Sequence, residues 1–150
     1  MRQQPNHHWI RSNMAGQGFF ALGVANSILL ILIFLLRGSH LAFIQSFGWV
    51  YLLLALPAIY VMSLFGSEQN SAQYRIFLGI FLAFLLLEGV LDFAWKVPFR
   101  DDWKLLTPYL VLYYGMNYGF IVMPWKASRT RGILMLGLFI FQLGANYSTH

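Results

Sequence analysis

The chain has 150 residues, of which 59% are hydrophobic, 18% aromatic and 10% charged, with a mean hydropathy of +0.61. Soluble domains carry about 25% charged residues, so this composition excludes an ordinary water-facing surface, intrinsic disorder and a nucleic-acid-binding domain. Ten Lys/Arg against five Asp/Glu give a formal charge of +5, and the lack of cysteine excludes disulfides, iron–sulfur clusters, thiolate zinc sites and thiol catalysis.

A membrane-crossing helix needs about 20 mainly apolar residues. After a polar N-terminal tail, residues 1–18, the first such segment is 19–36, FFALGVANSILLILIFLL. Arg37 follows it directly with no small-x-small cleavage site, so it reads as a retained span rather than a signal peptide. Gly38-Ser39 breaks the chain, and the second span is 48–65, in which Pro57 should introduce a kink. SEQNSAQ, residues 67–73, separates it from the third span, 75–95. The polar stretch 96–107 leads to the fourth span, 108–123, with Thr107-Pro108 reading as N-cap and first helical residue. Pro124 ends that span, and the fifth is 132–147. The expected fold is all-α, a polytopic integral membrane bundle of five transmembrane helices in a single domain covering residues 1–150.

Five spans put the two termini on opposite sides. The N-terminal side would hold Arg2, Arg11, Arg75, Lys126, Arg129 and Arg131, and the C-terminal side Arg37, Lys96, Arg100 and Lys104. The positive-inside rule then places the N-terminus in the cytoplasm and the C-terminus outside, in the plasma or cytoplasmic membrane. Trp49, Trp95, Trp103 and Trp125 fall at predicted span ends, as an interfacial aromatic belt requires.

Ionisable groups inside spans are expensive and point to a bundle interior, a cavity or a partner. Glu88 and Asp92 lie four apart on one helix face, and Lys96 continues that face one turn later. At 1.5 Å per residue Asp92 is about 6 Å and Glu88 about 12 Å deeper than Lys96, so Lys96 should pair with Asp92 and leave Glu88 unpaired. The fourth span carries Tyr109, Tyr113 and Asn117 at i, i+4, i+8; the fifth carries Gln142 and Asn146; the first contributes Asn26. Counted from the span ends, these groups lie in the C-terminal-side half or near mid-membrane. They read as a polar pocket centred on Glu88 with Asp92–Lys96 at its rim, or, more plainly, as interhelical hydrogen-bond glue. Gly115 and Gly119 form a GxxxG pattern suited to a close helix contact.

No GxSxG, HExxH, P-loop or dinucleotide fingerprint is present. No histidine lies inside a span, which argues against membrane haem, and no cofactor or metal site is expected. The leading expectation is binding or translocation of a small solute, proton or amphiphile. An accessory subunit of a larger membrane complex is the first alternative. A lipid-modifying enzyme using Glu88 and Asp92 as acid and base is the second. Membrane lipids are the expected surroundings, and the small size favours a homodimer or a partner membrane subunit over a lone carrier.

Overall fold

The computed structural model describes residues 7–66 and 71–149. Among the described residues the chain is all-helical: α1 His7–Arg37, α2 Leu41–Phe47, α3 Trp49–Leu52, α4 Ala55–Leu64, α5 Ser71–Glu88, a π-helical segment Gly89–Ala94 that continues α5, α6 Trp103–Ala127 and α7 Arg129–Ser148. These make five columns, with α2 to α4 forming one broken column. Around the bundle α1 packs on α4, α4 on α5, α5 on α6, α6 on α7 and α7 back on α1, while α1 also touches α6 across the middle. Two helices, Trp9–Arg37 and Ser71–Ala94, are long and apolar enough to cross a membrane; Trp49–Leu64 is apolar but shorter.

Several element boundaries depart from the sequence reading, each for a local reason. The stretch expected as a polar tail is helical from His7 onward, because Ala15 and Phe19 are buried and anchor that part of α1; residues 1–6 lie outside the described residues. The linker expected at 67–73 is outside the description at residues 67–70, and α5 starts at Ser71. In the second column the break falls upstream of Pro57 rather than at it. Proline has no N–H to give the Leu53 carbonyl four residues back. That carbonyl accepts from Leu56 N–H at 3.1 Å instead, in a tighter turn ahead of α4.

The fourth column begins five residues earlier than expected. Asp102, not Thr107, caps α6, its carboxylate accepting the Lys104 N–H at 3.0 Å. Thr107 donates its hydroxyl back to the Trp103 carbonyl at 2.8 Å, and Pro108 sits in the second turn. Pro124 does not end α6 either; the helix runs on to Ala127, and the Pro124 carbonyl accepts the Ser128 N–H.

The core is aromatic. Phe19 and Phe81 both pack on Phe120, with ring centroids 5.1 and 5.2 Å away, and Phe84 lies 5.2 Å from Tyr109. Of the GxxxG pair only Gly119 is a close approach: a Cβ there would fall on the Phe77 ring of α5, whereas at Gly115 the nearest atom is Ile80 Cγ2 at 3.5 Å. The outer surface is apolar too. Leu56, Ile59, Ile76, Leu86, Val111, Ile140 and Phe141 are exposed, while Asn26, Ser27, Glu88, Asn117 and Gln142 are buried. An exposed apolar surface over a few buried polar groups departs from the arrangement that water selects.

Candidate functional site

One end of the bundle holds α1's C-terminus, the π segment, the loop 95–102 and the start of α6. Glu88 closes the α-helical part of α5 and is 6% exposed, so its carboxyl points into the bundle. It faces Asp92, the Arg100 guanidinium and the Tyr109 hydroxyl, and lies near Tyr51. Its Oε2 is buried and has no hydrogen-bond partner among the described residues.

The π segment changes the register that the sequence implied. Trp95 N–H bonds to the Val90 carbonyl and Val97 N–H to the Leu91 carbonyl, five and six residues back rather than four. The helix then ends, and Lys96 takes φ 51°, a left-handed backbone that turns the chain sharply. Lys96 is therefore exposed and off the Glu88–Asp92 face, and the expected Asp92–Lys96 ion pair does not form. Single-turn π insertions recur at functional sites, where they re-aim side chains.

After Lys96 the loop folds back under itself. Phe99 is buried as its anchor, 4.8 Å from the Tyr109 ring. Arg100 lies over the Phe99 face, its Cζ 4.8 Å from the centroid. Arg37, the last residue of α1, lies over buried Phe34 at 5.7 Å. Arg37 and Arg100 are close enough to feel each other's charge, and Arg37 also senses Tyr109, Glu88 and Asp92. Among the described residues neither arginine closes an ion pair with a carboxylate, and Arg100 Nη2 is buried without a partner.

Two cavities share these arginines. The larger, about 370 Å³, is lined by Arg37, Gln45, Asp92, Lys96 and Arg100 with Ile44, Phe93, Val97 and Pro98. The smaller, about 220 Å³, is walled by Phe34, Leu106, Tyr109, Leu110, Tyr113, Tyr114 and Asn146, again with Arg37 and Arg100. Glu88 lines neither; it stands behind Tyr109 and Arg100.

The other candidate residues divide into pairs rather than meeting at one point. Gln142 donates its amide N–H to the Tyr113 hydroxyl, joining α7 to α6. Tyr51 donates its hydroxyl to Asn26 Oδ1, joining α3 to α1. Asn117 is buried but spends its amide on the Tyr113 carbonyl of its own helix, at 2.9 Å. Asn146 is half-buried and reaches the smaller cavity. Asp92 is half-buried and reaches the larger.

Arg37, Arg100 and Tyr51 were not among the sequence candidates. The two arginines carried a readable signal: Phe34 and Arg37 at i, i+3 on one helix, and Phe99-Arg100 adjacent in a loop, both suited to a cation over a ring. Tyr51 carried none. Among the described residues no group of His, Asp and Glu is arranged to hold a metal ion. His7 and His40 are exposed and stand apart from the cavities; nothing is described of the side chain of His8, or of His150.

The opposite end carries Arg11, Arg75, Lys126, Arg129 and Arg131. Arg11 donates to the Ser63 carbonyl at 3.3 Å and Lys126 to Gln73 Oε1 at 2.9 Å. These contacts tie column ends together.

No protein-family model, curated protein or solved structure matches the chain.

Proposed function

We propose that the five columns are five membrane spans, and that the chain binds or translocates a small solute or amphiphile through the polar cavities at the Arg37 and Trp103 end. The carrying observation is the burial of Glu88 among side chains from α1, α3, α5 and α6 beneath two cavities. A carboxyl in an apolar bundle is costly to keep unless it serves the interior. Here Glu88 faces Tyr109 and Arg100, which line the smaller cavity.

The membrane reading is supported by the apolar outer surface, by the burial of polar groups and by tryptophan. Trp9 and Trp125 lie at one end, Trp49, Trp95 and Trp103 at the other, and all are exposed, as interfacial anchors are. The second, fourth and fifth columns are less hydropathic or shorter than the first and third. Yet α6 and α7 turn Val111, Ile133, Leu134, Leu136 and Ile140 outward and keep Tyr109, Tyr113, Asn117 and Gln142 inside. The more basic end, with the N-terminus, then faces the cytoplasm. The walls of the polar cluster come from this chain's own helices, which favours an intrinsic site over a socket for a partner helix.

The test is flux through proteoliposomes, comparing wild type, Glu88→Gln and empty vesicles with protons, small cations and organic anions. Wild type should exceed empty vesicles for at least one class, and Glu88→Gln should cut that flux at least tenfold. Equal fluxes in all three would remove the reading.

A further inference from the structure

Around the two cavities stand Arg37, Lys96 and Arg100 with Glu88 and Asp92, while Asp101, Asp102 and Lys104 lie at the same end without lining either cavity. The acids are placed unequally. Glu88 stands behind the wall, so the surface of the smaller cavity carries two guanidinium groups and no carboxylate. Both guanidiniums lie over buried phenyl faces, and a ring attracts a cation without consuming its N–H donors. An oxyanion in the smaller cavity would meet the two guanidinium groups that line it, and a guanidinium fork matches carboxylate and phosphate geometry. Away from the arginines the same cavity offers the apolar side chains of Phe34, Leu106 and Leu110 beside three tyrosines and Asn146, and Tyr114 is 50% exposed on the outer face.

Resting on the pocket reading above, we propose that Arg37 and Arg100 bind the carboxylate or phosphate headgroup of a single-chain anionic amphiphile whose tail lies along Leu106, Leu110 and Tyr114. Lys96, exposed at the edge of the larger cavity, adds a positive charge on the headgroup's approach.

The test is calorimetric titration of the full chain in phosphatidylcholine nanodiscs with myristate, dodecyl phosphate, tetradecanol, acetate and inorganic phosphate. Myristate or dodecyl phosphate should bind saturably, tetradecanol at least tenfold more weakly. Arg37→Gln and Arg100→Gln should each weaken the acid at least tenfold while Arg129→Gln, at the far end, leaves it unchanged. Leu110→Trp, which narrows the cavity without touching a guanidinium, should also weaken myristate at least tenfold, and it serves if the arginine variants do not fold. Tetradecanol binding as tightly as myristate, or arginine variants binding like wild type, would overturn the headgroup assignment. Acetate or phosphate binding as tightly as the long-chain acids would overturn the amphiphile and leave a free oxyanion as ligand. If no anion binds while Glu88→Gln still alters flux, this inference falls and the pocket stands; if flux also equals that of empty vesicles, both fall.

Discussion

Arg37 and Arg100 come from distant parts of the chain, line the same two cavities, and each lie over a buried phenylalanine rather than in an ion pair with an acid. Positioning by a ring leaves the charged edge available, whereas positioning by a carboxylate would consume it. The loop 95–102 makes the meeting: Lys96 reverses the chain, Phe99 fastens it, and Arg100 follows.

Phe99 is thus both an anchor and a platform. Phe99→Ala should cost about 3–5 kcal/mol, the usual range for a buried phenylalanine, and release Arg100. Unfolding in mixed micelles measures the first effect, and loss of any ligand signal that depends on Arg100 measures the second. Stability within about 0.5 kcal/mol of wild type would contradict the anchoring role.

Lys96 should matter little to stability. It is exposed and makes no ion pair with Asp92, so Lys96→Ala should stay within about 0.5 kcal/mol of wild type, as surface substitutions do. A larger loss would restore the Asp92–Lys96 pair that helical spacing suggests.

The Gln142–Tyr113 bond ties α7 to α6 in an apolar interior. Gln142→Leu, Tyr113→Phe and the double variant form a thermodynamic cycle. Interhelical hydrogen bonds in membranes couple by about 0.6 kcal/mol on average and up to about 1.7 kcal/mol. A coupling energy in that span is expected, and zero coupling would show that the two groups merely sit side by side.

The two glycines of the GxxxG pattern should respond differently. Gly119→Ala drives a methyl group into the Phe77 ring and should cost about 1–3 kcal/mol through overpacking. Gly115→Ala meets only Ile80 at 3.5 Å and should be neutral or stabilising, since alanine is the better helix former. Thermal melts of the two single variants decide, and equal losses would contradict the asymmetry.

The cysteine-free sequence makes single-cysteine labelling clean. With five spans, Ser12→Cys and Thr130→Cys should react from one side of the membrane with an impermeant maleimide, and Ser39→Cys and Ser148→Cys from the other. Labelling of Ser12→Cys and Ser148→Cys from the same side would exclude an odd number of spans.

Much about the protein is legible in its sequence. Low charge and high hydropathy required an apolar exterior, and the i, i+4 spacing of Tyr109, Tyr113 and Asn117 required that they share a face. That face is buried, and so is Glu88. Both follow from helical periodicity and from the cost of a carboxyl in an apolar medium. Periodicity orders residues within a helix but does not say which faces meet. Only the tertiary structure split the polar groups into Asn26–Tyr51, Gln142–Tyr113 and the Glu88 cluster. Only it swung Lys96 away, because a π segment and a left-handed residue broke the spacing on which the ion pair depended. Arg37 and Arg100 met because a loop folded back on Phe99, and such a path depends on contacts between distant segments rather than on the local order of residues.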